Sequence, residues 1–251
     1  MIPADDRGLL LGDGLFETLL SQGGRLSELD AHIDRMARGC AVIGLGPFDA
    51  TAARQAVETA AAGASSRAAV RLTLTAGAGR GLDRPDRARP RILASASPAP
   101  APSGPARLRT AAVRRNEGSP ASRVKSLSYL DNVLARREAR AQGADEALML
   151  NSRGEVAGGA AANLFWIAQD RLFTPALDCG VLDGIVRGRV LAAARALAIE
   201  ALEVRAPADH LASIQAAFLT SSLIGLRPVA EIDGRPLVVH PMIEALSSRC
   251  R

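Results

Sequence analysis

From Leu29 onward, the apolar side chains Leu29, Ile33, Met36, Cys40 and Ile43 return at helical spacing. With Ser27 in a capping position and Glu28 in the first turn, the pattern predicts a helix over 27–45. The alanine-rich stretch 51–63 predicts a second helix. The run from Ala69 to Thr75 alternates with a period of two, stops at Gly77, and predicts a strand; Arg91 to Ala94 predicts another. Further on, 127–142 predicts a helix closed by Gly143, followed by strands at 146–150, 162–168 and 171–174, the last two joined by a Gln169-Asp170 turn. A helix over 184–198 and strand-like runs at 215–220, 228–232 and 235–239 complete the pattern. Strand runs with segregated helices imply an α+β fold rather than a regular βαβ repeat. Between the halves lies a proline-dense segment, Ser97 to Pro105, which suits neither a helix interior nor a central strand. It predicts a linker at 98–105, separating a small α+β domain over 1–97 from a larger one over 106–251 that carries the lone lysine.

A length of 251 residues is ample for a buried core. No apolar run reaches 18 residues, so no membrane partner is expected. The stretch from Met1 to Asp6 has no basic segment leading into an apolar one, so no secretory signal is read and the expectation is a cytoplasmic protein. Cys40, Cys179 and Cys250 are far apart, which speaks against a disulfide scaffold and a paired-cysteine metal site. The net charge of +5 raises the question of nucleic acid, but the charges are scattered and aromatic residues make up only 3%, so no nucleic-acid partner is expected.

Composition changes the picture at one point. Of the 31 basic residues, one is a lysine, Lys125, and the single tyrosine, Tyr129, follows four positions later. Arginine could serve most surface roles of a lysine, but it never becomes a neutral amine. Lys125 is therefore a candidate Schiff-base former. If the segment is helical, Lys125 and Tyr129 share a face.

Seven segments in order resemble the fold-type IV, or class IV, aminotransferase family. They are Gly12-Asp13-Gly14-Leu15-Phe16-Glu17-Thr18; His32-Ile33-Asp34-Arg35; Lys125-Ser126-Leu127-Ser128-Tyr129-Leu130; Ala144-Asp145-Glu146-Ala147-Leu148; Asn163-Leu164-Phe165; Gly180-Val181-Leu182-Asp183-Gly184-Ile185-Val186-Arg187; and Thr220-Ser221-Ser222-Leu223. The run from Thr220 to Val229 is most similar to the family's aminodeoxychorismate lyase branch. The resemblance implies a two-domain fold with its active site at the domain interface, a homodimer, pyridoxal 5'-phosphate as cofactor and a small-molecule amino substrate. It implies that Lys125 holds the cofactor and moves protons, and that Tyr129 reaches the ring's phenolate oxygen. Arg35 would anchor the phosphate, with the N–H groups of Gly184, Ile185 and Val186 at a helix start and donors from Ser221 and Ser222. The family often has Thr where this chain has Val186. Phe16 and Thr18 would line the substrate side, and Arg227 would meet a substrate carboxylate. His32 and Asn163 read as structural.

One departure bears on the reaction. Five residues before Asn163 the family carries a glutamate that bonds the pyridine nitrogen; this chain has Gly158. Aromatisation tolerates the weaker electron sink, so the resemblance implies a lyase that releases pyruvate from 4-amino-4-deoxychorismate and leaves 4-aminobenzoate. The rivals are an aminotransferase for a branched-chain or D-amino acid and a degenerate, non-catalytic relative.

Overall fold

The computed structural model describes residues 2–64, 66–86 and 89–250; Met1 and Arg251, the outer limits of the two domains read from the sequence, lie outside them. The chain divides into two compact units, Met1–Ala101 with Val124–Ser128, and Pro102–Arg123 with Tyr129–Arg251.

The first unit runs α1 (Arg7–Leu11), β1 (Gly14–Gln22), β2 (Arg25–Leu26), α2 (Leu29–Val42), α3 (Ala50–Ala62), β3 (Arg67–Thr75) and β4 (Arg91–Pro98). Its sheet has the order β2-β1-β3-β4, antiparallel throughout. The helices bury Ile33, Met36 and Val57 against Leu15, Leu19, Val70, Leu72 and Leu74 of the sheet. Full burial of a side chain such as Leu19 is worth about 1.5–3 kcal/mol. The stripe read from Leu29 onward is real, but Ser27 does not cap it: Glu28 takes the cap position at φ 55 without a side-chain capping bond, and the helix starts at Leu29. At α3, Asp49 accepts from the Ala52 N–H at 2.9 Å. Strand β1 escapes a periodicity reading because Leu15, Phe16 and Glu17 are all buried, leaving no alternation. Strand β4 extends to Pro98 because it is an edge strand, where a missing N–H interrupts no ladder.

The second unit contains β5 (Ala106–Thr110), α4 (Pro120–Arg123), α5 (Leu130–Ala141), β6 (Glu146–Leu150), β7 (Val156–Gly159), β8 (Asn163–Ala168), β9 (Arg171–Pro175), α6 (Ile185–Ala196), β10 (Ala201–Val204), β11 (Ala216–Ser221), β12 (Gly225–Ile232), β13 (Arg235–Pro236) and α7 (Pro241–Arg249). Its sheet has the order β10-β9-β8-β11-β12-β5-β6-β7, with β13 on β12. The pairs β9–β10, β5–β12 and β5–β6 are parallel and the others antiparallel. Along β8, Leu164 and Trp166 enter one core while Phe165 and Ile167 enter the other, under α6 and α7. The run 235–239 shrinks to the two residues of β13. Among the described residues, no helix is long and apolar enough to cross a membrane.

The break at Ala101/Pro102 falls within the proline-dense segment, but Lys125 belongs to the first unit, not to a C-terminal domain. Backbone bonds explain this: the Phe16 N–H donates to Lys125 O at 2.8 Å, and the Leu127 N–H to Gly14 O at 3.0 Å. Residues 125–129 are not helical, and α5 begins only at Leu130. The shared helical face expected for Lys125 and Tyr129 is therefore absent.

Candidate functional site

In the first unit, the Gly12-Asp13-Gly14 turn lets the lysine segment lie against β1. A Cβ on Gly14 would stand 2.3 Å from Leu74 O and 2.8 Å from Leu127 Cδ1, so only glycine permits the approach. Phe16 follows, buried, and its ring takes two cations: Lys125 Nζ lies 4.0 Å from the ring centroid and the Arg71 guanidinium carbon 3.9 Å. Arg71 pairs across from Thr18 on β3, which sets it diagonally beside Phe16. Residues alternate across a strand, so Glu17 projects to the opposite face, toward α2. There it binds two groups one helical turn apart. His32 Nδ1 lies 2.7 Å from Glu17 Oε2, and Arg35 donates through Nε (2.8 Å) and Nη2 (2.6 Å). These hydrogen bonds and the cation outweigh the opposing effect of burial, and the Glu17 carboxyl falls from 4.5 to about 2. The fork of Arg35, the residue expected to anchor phosphate, is thus closed on Glu17. Any further anion shares its charge with that carboxylate.

In the second unit, α6 opens at Gly184 with no side-chain cap, leaving its first N–H groups directed at the helix mouth. Gly184 is required by its neighbour: a Cβ would stand 2.0 Å from Asn163 Oδ1. Asn163 in turn donates from Nδ2 to Leu182 O at 2.9 Å, which fixes the turn into α6. Asn163 pairs with Thr220 across β8 and β11, and the Thr220 hydroxyl is buried with no partner among the described residues. Ser221 ends β11, and Ser222 follows it. Arg187 anchors the helix through Pro175 O (3.2 Å), Glu203 and Asp183.

Tyr129 sits at the N-cap of α5. Within electrostatic reach of it lies Arg115, whose guanidinium spans Gly159 O (3.3 Å) and Gly180 O (3.4 Å). Gly158 itself has φ +102. Arg227, expected to meet substrate, is occupied elsewhere: it donates from Nε to Gly104 O at 2.9 Å and pairs with Asp145 at 3.5 Å.

Glu17, Arg71, Arg115 and Thr220 were not singled out as site residues by the sequence. For Glu17 a signal existed, an acid inside an apolar run preceding a His-x-x-Arg helix. For Arg71 and Arg115, two arginines among thirty, there was none.

Each unit by itself offers groups of the kind a phosphorylated pyridine needs: the first holds the chain's one lysine, and the second an uncapped helix start and a buried hydroxyl without a partner among the described residues. The family model for Amino-transferase class IV matches residues 14–232. The aminodeoxychorismate lyase of Bacillus subtilis is 32% identical over 122 residues, 49% of this chain and 42% of that protein. A putative branched-chain-amino-acid aminotransferase of Methanocaldococcus jannaschii is 38% identical over 112 residues, 45% of this chain and 39% of that protein. The matched stretches thus span about two fifths of these relatives' lengths. The crystal structure of 4-amino-4-deoxychorismate lyase from Pseudomonas aeruginosa superposes with a TM-score of 0.90 at 30% identity, covering 100% of this chain and 94% of that one. Another solved neighbour is a PLP-bound form. The chain belongs to the class IV amino-transferase family, whose cofactor is pyridoxal phosphate.

Proposed function

We propose that the protein is a lyase that releases pyruvate from 4-amino-4-deoxychorismate and leaves 4-aminobenzoate. The observation that carries this reading is Gly158, a position with no side chain, whose neighbour Gly159 meets a half-buried arginine rather than a carboxylate. Bound pyridoxal phosphate would supply an electron-withdrawing ring conjugated with the substrate's amine.

The chain's own residues do the rest. Lys125 Nζ carries the cofactor and takes the proton from the substrate carbon that bears the amine. The ether bond to the enolpyruvyl group breaks, enolpyruvate takes up a proton to become pyruvate, and the six-membered ring becomes aromatic. The Phe16 face holds the Lys125 ammonium by cation–π attraction and so orients it. Ile185 and Val186 N–H groups, with Ser221 and Ser222, would hold the phosphate, and Arg35 would add charge steadied by Glu17. Tyr129 would meet the phenolate oxygen.

The second reading, amino transfer from a branched-chain or D-amino acid, is favoured by the relative from Methanocaldococcus jannaschii. One experiment separates the two. Purified protein with excess cofactor is given 4-amino-4-deoxychorismate, and pyruvate and 4-aminobenzoate are measured; parallel samples receive amino donors with 2-oxoglutarate, and glutamate is measured. Equimolar pyruvate and 4-aminobenzoate, lost in Lys125→Ala, is the expected result. Glutamate formation without pyruvate release would establish the second reading instead.

A further inference from the structure

Arg115 is a half-buried cation whose Nε is fully buried and which no carboxylate pairs among the described residues. Its backbone is fixed by the bond from its own N–H to Leu150 O at 2.9 Å and by the Ser152 N–H at 3.2 Å, which seats it beside β6 and β7. Its side chain reaches Gly159 O at 3.3 Å, Gly180 O at 3.4 Å and Met149 Sδ at 3.5 Å, all long or weak contacts. Its Nε–H is buried with no acceptor, and among the described residues it makes no ion pair. Burial pulls the guanidinium below its ordinary pKa, against the electrostatic support of Tyr129 and Asp131, yet an arginine stays charged. A desolvated cation with a vacant donor calls for a bare acceptor.

Its surroundings say which. The carbonyls it touches belong to Gly159, adjoining Gly158, and to Gly180, at the head of the turn into α6. Gly158 lies against Asn163, and Asn163 abuts Gly184 at the helix mouth. The mouth suits the anionic end of the cofactor, and Tyr129 is the phenol close to Arg115. What remains for Arg115 is the ring's basic nitrogen.

We propose that Arg115 donates to the lone pair of the cofactor's pyridine nitrogen and keeps that nitrogen unprotonated. The inference rests on the pyridoxal-phosphate reading. A guanidinium holds only donors, so it can meet a neutral pyridine but is repelled by a pyridinium. Gly158 offers no carboxylate that would retain a proton there. A neutral ring withdraws electrons less strongly. It thus disfavours returning a proton to the cofactor carbon, as amino transfer requires, and leaves elimination the easier course.

The test is the protonation state itself, read without turnover. Wild type and Arg115→Gln are loaded with pyridoxal phosphate labelled with nitrogen-15 in the ring, and the nitrogen shift is followed against pH by NMR. Wild type should show the neutral-pyridine shift at neutral pH. In Arg115→Gln the midpoint of ring protonation should rise by at least about one pH unit, a tenfold change. A pyridinium shift in wild type at neutral pH, measurable even should the variant fail to fold, would overturn the inference, as would identical midpoints. Borohydride trapping on Lys125 separates the two failures. A trapped cofactor with a protonated ring sinks Arg115 alone, whereas no trapped cofactor sinks the pyridoxal-phosphate reading and the inference together.

Discussion

Glu17 carries more of the first unit's chemistry than its neighbours on β1. A carboxyl lowered from 4.5 to about 2 by Arg35 and His32 favours the folded state when ionised. That contribution is complete above about pH 4.5 and is lost as pH falls toward 2. Glu17→Gln should therefore lower unfolding free energy at pH 7 by on the order of 3 kcal/mol. Urea titrations of both proteins from pH 7 down to 2.5 should show the gap closing below pH 4.5; a gap constant to pH 3 would mean that Glu17 acts through packing alone. At this scale the sequence was partly legible. Lys125 stood out because no other side chain in the chain offers an amine. The partners of Arg227 were not legible, because a β-strand arginine does not announce which carbonyls it will find, here those of Gly104 and Pro105.

Among the elements, α6 depends most on one contact. Its cap glycine has an ordinary φ of −75, so the obstacle to a side chain there is Asn163 and not the backbone. Gly184→Ala should cost about 1–3 kcal/mol through overpacking and the loss of the bond to Leu182. Adding Asn163→Ala should then cost less than it does in wild type. A thermal-unfolding double-mutant cycle would show coupling of about 0.5 kcal/mol or more; additive costs would put the obstacle elsewhere. Gly158 is the opposite case. With φ +102 and Ala162 O 3.3 Å from where a Cβ would stand, it is a backbone choice as well as a missing side chain. Restoring a glutamate there would strain β7. Elements with a single buried face, such as α2 and β3, were legible from periodicity. Strand β1 was not, because it is buried on both faces, nor was the segment from Lys125 to Tyr129, whose shape is set by β1 rather than by local preference.

For the molecule as a whole, one lysine in 251 residues makes the cofactor's attachment directly countable. Borohydride treatment after loading should add one cofactor per chain by intact mass, and peptide mapping should place it at Lys125. An adduct confined to the α-amino group would remove Lys125 from its role. The two-part organisation was legible in the prolines, since chain composition marks where a core stops. The allocation of Lys125 was not, because it follows from long-range backbone pairing with Gly14 and Phe16 that no local signal records. That pairing has a consequence during synthesis. When residue 101 leaves the ribosome, the first unit's sheet has all its strands, yet the Gly14–Phe16 stretch still waits for a partner more than twenty residues away. Until Ser128 emerges, this stretch lacks the bonds that Lys125 and Leu127 supply, and the nascent unit has no lysine side chain for the cofactor. The residue that would receive the cofactor is thus also the one that closes the first unit, so a chain interrupted before it should be both unfinished and unable to load.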